Sequence, residues 1–112
     1  MEFIHHLPEK PSFSRPGATG YKFPIVGEAV EIDYIDSSSG HGGKVVSDEI
    51  THFYYILSGG GEFIINNQVH EVTEGELVEI LPHHSFDYRG RMKMILMLNP
   101  PFEPSKVREV KD

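Results

Sequence analysis

Hydrophobic and polar residues alternate along this chain in short blocks that are separated by glycine and proline. In "VEIDYID", Val30, Ile32 and Tyr34 alternate with acidic residues, which predicts a half-buried strand with the apolar side chains on its buried face. "HFYYIL" and "EFII" predict two further strands with a hairpin at "SGGG" between them. In "NNQ", Asn66 and Asn67 can adopt the positive φ of a tight turn, so we expect a second hairpin there.

The second half of the chain continues the same pattern. "LVEIL" ends at Pro82, and "SFDY" and "MKMILML" predict a last pair of strands joined across "RGR". The alternation in "MKMILML" puts four apolar side chains on one face, either as core or as the lining of an apolar pocket: Met92, Met94, Leu96 and Leu98. Apart from the short charged tail "SKVREVKD", no segment has helical periodicity over about ten residues. Many short strands at regular spacing indicate an all-β sandwich or small barrel.

Composition limits both the organisation of the chain and its partners. Its 112 residues predict one domain, with an N-terminal arm over 1–29, a barrel over 30–102 and a C-terminal tail over 103–112. The net charge of −7 repels phosphate backbones and anionic lipid heads, so we expect neither nucleic acid nor a membrane as a partner. The absence of cysteine excludes disulfides and thiolate zinc sites, and nothing indicates an oxidising compartment. The expected location is the cytoplasm.

Three segments resemble the cupin pattern: "FYYILSGGGEFIINN", "EGELVEILP" and "FDYRGRMKMILMLNPPF". The resemblance covers roughly residues 30–102, which is most of the chain. It implies a single-domain jelly-roll β-barrel, also called a double-stranded β-helix. It also implies two motifs whose three histidines and one glutamate converge on a divalent metal and leave positions open for substrate or dioxygen.

The metal-binding part of the cupin pattern is degenerate in this chain. In the first motif Val46 and Asp48 occupy the two histidine positions and His52 occupies the glutamate position. In the second motif the histidine position holds Asp87 if it is counted from the proline, or Phe86 if it is counted from the preceding glycine. The strongest remaining ligand set is Asp48, His52 and Asp87. Asp48 and His52 would face the same way on one uninterrupted strand, together with Tyr54.

One further histidine is a candidate ligand. His41 lies in the glycine-rich loop "SSSGHGG" near the presumed mouth of the barrel. It could turn inward as a replacement metal ligand, or remain in solvent. Because the standard ligand set is missing, we predict no cofactor, with a divalent metal as the alternative.

Two functional hypotheses follow, and they belong to different classes. The first is a binding module whose barrel holds a small organic ligand such as a sugar or a carboxylate, oriented by His52, Tyr54, Asp87 and Asp48. The second is an enzyme resembling cupin isomerases, epimerases or dioxygenases, which uses His52 as a general base or a reduced metal set. We favour the first because a fold alone does not confer catalysis. A protein that acts only through its surface is a third alternative.

Assembly is predicted from the same resemblance. Cupins similar to this chain commonly form homodimers in which the N-terminal segment adds to the sheet of the partner. The aromatic, proline-rich arm over 1–29 suits that role, and covering an edge strand also protects against aggregation.

Overall fold

The computed structural model describes residues 2–111 and is all-β, as the sequence predicts. The strands and one short helix follow in this order: β1 (Phe13–Arg15), β2 (Ala18–Lys22), β3 (Glu31–Ser37), β4 (Val45–Ser47), β5 (Thr51–Ile65), β6 (Gln68–Thr73), β7 (Leu77–Ile80), β8 (Phe86–Asn99), a 3₁₀ helix (Pro104–Lys106) and β9 (Val107–Glu109). No helix among these residues is long and apolar enough to cross a membrane.

The two long strands β5 and β8 hold the curled sheet together. They pair antiparallel along almost their whole length, from Thr51 opposite Asn99 to Ile65 opposite Phe86. The order β1-β2-β3-β8-β4-β9 runs through β8, while β5 also pairs with β6 and β7. The interior side chains of β5 and β8 therefore line both halves of the barrel.

The core is apolar and aromatic. On β8 the four alternating side chains Met92, Met94, Leu96 and Leu98 are all buried, which confirms that they share the interior face. Ile56 and Phe63 of β5 are fully buried beside them. The predicted turn at Asn66 and Asn67 is also confirmed, since both residues have positive φ, 51° and 66°, and join β5 to β6.

Two predicted hairpins are wrong, because glycine lets the chain continue as strand at both places. "SGGG" lies within β5, with a bulge between Ile56 and Ser58, and "RGR" lies within β8. Gly90 has φ +122°, and a Cβ atom there would lie 2.7 Å from the Cα of Gly61 on the paired strand. These glycines permit a sharp bend and close contact of two backbones, not a reversal of the chain.

The prediction for β3 has the faces reversed. Glu31, Asp33 and Ile35 point into the interior, whereas Ile32 and Tyr34 are only half-buried on the outer face. Tyr34 packs there against Tyr21 of β2, with ring centres 6.0 Å apart. The barrel therefore encloses two carboxyl groups that the alternation pattern had assigned to solvent.

Both ends of the described chain join this sheet beyond the predicted barrel bounds of 30–102. In the predicted arm, β1 pairs with β2 and β2 pairs with β3 of the same chain. In the tail, whose charged pattern allowed a helix, a single 3₁₀ turn is followed by β9, which pairs with β4. The outermost strands of the main strand order are thus β1 and β9.

Candidate functional site

A cluster of aromatic and imidazole rings occupies one end of the barrel interior. His52 and Tyr54 alternate on β5, and Phe86 and Tyr88 alternate on β8, so all four side chains point inward. The ring of Tyr54 lies 5.4 Å from that of Tyr88, and the ring of His52 lies 4.9 Å from that of Phe86. Phe63 closes the cluster at 5.1 Å from Tyr54. We call these residues, together with His41, the ring cluster.

His41 joins the ring cluster from the loop that follows β3. Its backbone N–H donates to the carbonyl of Tyr88 over 2.8 Å, which anchors the loop to β8. Its imidazole then lies 5.1 Å from the ring of Tyr88 and 5.8 Å from that of Phe86, and the residue is buried. The side chain of His41 therefore turns into the barrel and does not remain in solvent.

The hydrogen bonds of His41 determine which nitrogen carries the proton. Nδ1 lies 2.8 Å from the carbonyl oxygen of Gly43, which can only accept, so the neutral ring is protonated at Nδ1. Nε2 then holds the lone pair. Burial lowers the pKa of His41, which keeps the ring neutral at pH 7, and the carboxylate of Asp87, 3.8 Å from Nδ1, opposes that shift. A neutral imidazole with a fixed tautomer is suited to accept a proton at Nε2.

His52 is the second buried imidazole of the ring cluster. Burial lowers the pKa of His52 to about 4, and the neighbouring His41 contributes to the shift because two positive charges would repel each other. The ring stacks on that of Tyr54 with an angle of 6° between the planes. His52 is therefore neutral across the physiological range and packs as part of the ring cluster.

The two tyrosines supply hydroxyl donors that remain protonated. Burial raises the pKa of Tyr88 and raises the pKa of Tyr54 well above its usual value. The hydrogen bonds found among the described residues leave both hydroxyls without a protein partner. A ligand oxygen in the barrel could accept from them.

One charged residue of the site escaped the sequence analysis. Arg15 lies on β1, and its Nε donates to the backbone carbonyl of His41 over 2.5 Å. Its positive charge adds to the lowering of the pKa of His41 that burial causes, and it opposes part of the rise in the pKa values of Tyr54 and Tyr88. No sequence pattern indicates this role, because Arg15 lies in the proline-rich segment that we interpreted as an arm.

The structure separates the predicted site residues into two groups. His52, Tyr54 and His41 meet in the ring cluster, and Asp87 lies at its edge beside His41. Asp48 does not join them, because β4 ends at Ser47 and β5 begins only at Thr51. The two residues do not share one strand, so the parity argument for Asp48 and His52 is wrong.

The exposed carboxylate of Asp48 instead lies on the surface, 3.0 Å from Nδ1 of His83 and 3.2 Å from Arg108. The proposed metal ligands therefore do not converge. Within residues 2–111 no three histidine, aspartate or glutamate side chains are grouped so as to hold a metal ion. The donor set does not fit the divalent metal that the cupin resemblance implies.

No protein-family profile and no curated protein sequence matches this chain. Pac13, a nucleoside dehydratase from Streptomyces, superposes with a TM-score of 0.91 at 22% identity, covering 99% of this chain and 92% of Pac13. A protein from Planctomyces limnophilus superposes with a TM-score of 0.80 at 18% identity over 96% of each chain. Ectoine synthase from P. lautus gives 0.68 at 14% identity, covering 88% of this chain and 80% of the synthase.

Three of the Streptomyces PAC13 structures contain uridine, one in a His-to-Gln variant and two in Tyr-to-Phe variants. Pac13 and ectoine synthase are both cupin-fold proteins. Since the likeness extends over nearly the whole chain, the fold that the sequence resemblance predicted is confirmed, and this protein has the cupin fold.

Proposed function

We propose that this protein binds a nucleoside or a similar hydroxylated small molecule inside the barrel and eliminates water from it. The supporting observation is the ring cluster itself, which combines a neutral histidine with two protonated tyrosines in a buried, largely apolar setting. This proposal replaces the preference for a pure binding module, because His41, which the sequence analysis considered only as a metal ligand, is suited to act as a base.

The uridine complexes of PAC13 support this substrate class. The three positions altered in those variants are a histidine and two tyrosines, separated by 13 and 34 residues. His41, Tyr54 and Tyr88 follow the same order with the same two intervals. Equal spacing in a chain of the same fold aligns the three residue types with positions chosen for substitution in a nucleoside dehydratase.

Elimination of water requires a base for a carbon-bound proton and an acid for the departing hydroxyl. Such a proton is acidic only beside an electron-withdrawing group, so we propose a substrate with a carbonyl adjacent to that carbon. His41 Nε2 is the base. The hydroxyls of Tyr54 and Tyr88 would donate hydrogen bonds to the carbonyl oxygen as negative charge develops on it. Exclusion of water from the site would strengthen both hydrogen bonds.

Mass spectrometry of reaction mixtures tests the proposal. The chain is incubated with uridine, other nucleosides and nucleosides whose sugar carries a carbonyl group, and a product lighter by one water is sought. Calorimetry with uridine measures binding separately from turnover. Binding without any such product would return the protein to the class of binding modules, and neither binding nor product would refute both functions.

The homodimer remains a prediction. The outer face of the sheet supports it, because Tyr55 of β5 and Leu77 of β7 lie opposite each other and are 43% and 60% exposed. Ile95 of β8 and Tyr34 of β3 continue the same row across the sheet. A second copy of this chain would cover that apolar row.

A further inference from the structure

Asp87 is a partly buried carboxylate beside His41 that the proposed reaction has not yet used. It lies between Phe86 and Tyr88 on β8. Because successive side chains of a strand alternate between its two faces, Asp87 is not on the face that its two neighbours present to the ring cluster. Its Oδ1 atom is nevertheless 3.8 Å from Nδ1 of His41. The residue that the sequence analysis assigned to ligand or metal binding therefore lies against the proposed base.

Two backbone groups hold the carboxylate in place. Oδ1 of Asp87 accepts a hydrogen bond from the N–H of Tyr88 over 2.8 Å, and the N–H of Gly43 is 3.5 Å from the same oxygen. The carbonyl of Gly43 also accepts the hydrogen bond from Nδ1 of His41. The carboxylate is thus fixed beside the Nδ1 edge of the imidazole before any ligand binds, so it needs no rearrangement to interact with a charged ring.

His41 is also near charged and titratable groups of other strands. Arg15 of β1 opposes its protonation, as would a charged His52 on β5, whereas Glu109 of β9 favours it. Arg15 and Glu109 bind each other, with Nη2 of the arginine 3.5 Å from Oε1 of the glutamate, so their charges partly cancel at His41. Asp87 favours protonation of His41 more strongly than Glu109 does.

We propose that Asp87 is a positioning residue for the base, and that its carboxylate stabilises the imidazolium that His41 becomes when it takes a proton from the ligand. The inference rests on the proposed dehydration. A buried imidazole among aromatic rings has lost most of its hydration, so a positive charge on it is costly without a nearby anion.

The aspartate behind the histidine of a Ser-His-Asp triad has a comparable role, because it stabilises the imidazolium without becoming protonated itself. The contact differs in this chain. The Nδ1 proton of His41 is held by the carbonyl of Gly43, and the carboxylate of Asp87 acts on the ring through its charge over 3.8 Å.

The proposed step is balanced without a co-reactant. The C–H bond beside the carbonyl breaks, its proton moves to Nε2 of His41, and its electron pair forms the new carbon–carbon double bond. The bond from the neighbouring carbon to the hydroxyl oxygen breaks, and that oxygen takes the proton from Nε2 and departs as water. Asp87 forms and breaks no bond. Its charge offsets that of the ring while the ring holds both protons.

The first test measures the pKa of His41 from its imidazole signals in ¹H–¹⁵N spectra recorded over a range of pH. Asp87→Asn keeps the size of the side chain and an oxygen that can accept from Tyr88, but it removes the charge. We expect the pKa of His41 to be lower in Asp87→Asn than in the unaltered chain. Asp36→Asn is the control, because Asp36 is exposed on β3 and is not among the groups that act on His41.

The direction of this change distinguishes a lost charge from a damaged structure. Burial holds the pKa of His41 below its ordinary value of 6.5, so a variant whose site had opened to water would show a higher pKa. Loss of a stabilising negative charge moves the pKa the other way. An equal or higher pKa in Asp87→Asn overturns the proposal.

The second test is turnover of a nucleoside whose sugar carries a carbonyl group. We expect kcat of Asp87→Asn to fall about tenfold or more while KM stays within about threefold, because the charge acts on the protonated ring that forms during the reaction. The rise of kcat/KM with pH, which follows deprotonation of the base, should move to lower pH in this variant. Asp36→Asn should match the unaltered chain in both respects.

The outcomes separate the two proposals. A turnover of Asp87→Asn within about threefold of the unaltered chain overturns the role of Asp87 and leaves the dehydration intact. The same holds if the pKa of His41 does not fall while the unaltered chain still releases water. An unaltered chain that releases no water from any compound tested overturns the dehydration, and the role of Asp87 falls with it.

Discussion

The imidazole of His41 and the phenol of Tyr88 lie 5.1 Å apart, ring centre to ring centre, in the barrel interior. The backbone bond from His41 N–H to the Tyr88 carbonyl fixes this pair from the loop side, and Arg15 fixes it from β1. Two hydrogen bonds thereby hold the backbone of His41 against β8 and β1. We consider this pair the centre of the proposed active site.

Substitution of His41 should abolish turnover without unfolding the chain. His41→Gln keeps a side chain that can bond to the Gly43 carbonyl, but it removes the basic nitrogen, so we expect turnover to fall by about 100-fold or more. His70→Gln is the matched control, because His70 is exposed on β6. Equal turnover in the two variants would contradict a basic role for His41.

Loss of the Tyr88 hydroxyl should weaken ligand binding. Tyr88→Phe keeps the ring and its packing against His41 but removes one hydrogen bond to the ligand. We expect this loss to raise Kd for the ligand about tenfold. Calorimetry with uridine measures the change. Tyr55→Phe is the control, since Tyr55 faces outward, and an unchanged Kd in Tyr88→Phe would show that its hydroxyl does not contact the ligand.

The fold was predictable from the sequence because turns and alternation are local signals. The pair Asn66 and Asn67 adopts the predicted positive φ, and the methionine and leucine residues of β8 alternate as expected. The glycines in β5 and β8 led us to predict two hairpins, whereas both strands continue through them. A glycine that reverses the chain and a glycine that lets two strands touch look alike in sequence, and only the paired strand distinguishes them.

The site was only half predictable. His52 and Tyr54 follow from strand parity, but Asp48 was misplaced because the chain bends between β4 and β5. His41 and Arg15 reach the site through a loop and a short N-terminal strand, whose positions depend on long-range contacts. Asp33 was assigned to solvent because an alternation pattern puts charged residues on the outer face, whereas the structure buries it on the interior face of β3.

His52 should make the protein sensitive to acid. Its folded pKa of about 4 lies below the ordinary 6.5, so between these values the unfolded chain binds more protons and stability falls as pH falls. The loss attributable to His52 is about 3 kcal/mol once pH is well below 4. We expect His52→Gln to lose less stability than His70→Gln between pH 7 and 4.5 in urea unfolding. Parallel losses would show that His52 is not buried as a neutral ring.

Asp33 should make the protein less stable as the pH rises, which is the opposite of the effect of His52. Its folded pKa of about 8 lies above the ordinary 3.8, so the folded chain binds more protons between these values and stability falls as pH rises. The free energy of unfolding of Asp33→Asn and of the unaltered chain is measured in urea at pH 5 and pH 8. From pH 5 to pH 8 the unaltered chain should lose on the order of 3 kcal/mol more than the variant. A difference that does not change with pH would mean that Asp33 is ionised or paired.

The predicted homodimer should depend on the outer apolar row. Light scattering at micromolar concentration should give twice the mass of the chain, and Leu77→Lys should give the monomer mass, because a charge would be buried at the interface. Val69→Lys, at an exposed position on β6, is the control. A monomeric mass for the unaltered chain would refute the dimer.

The measurement that tests the central claim most directly is the mass spectrum of carbonyl-bearing nucleosides after incubation with the unaltered chain and with His41→Gln. The account predicts a product lighter by one water with the unaltered chain and almost none with the variant. The same amount of product from both chains, or none from either, would contradict it.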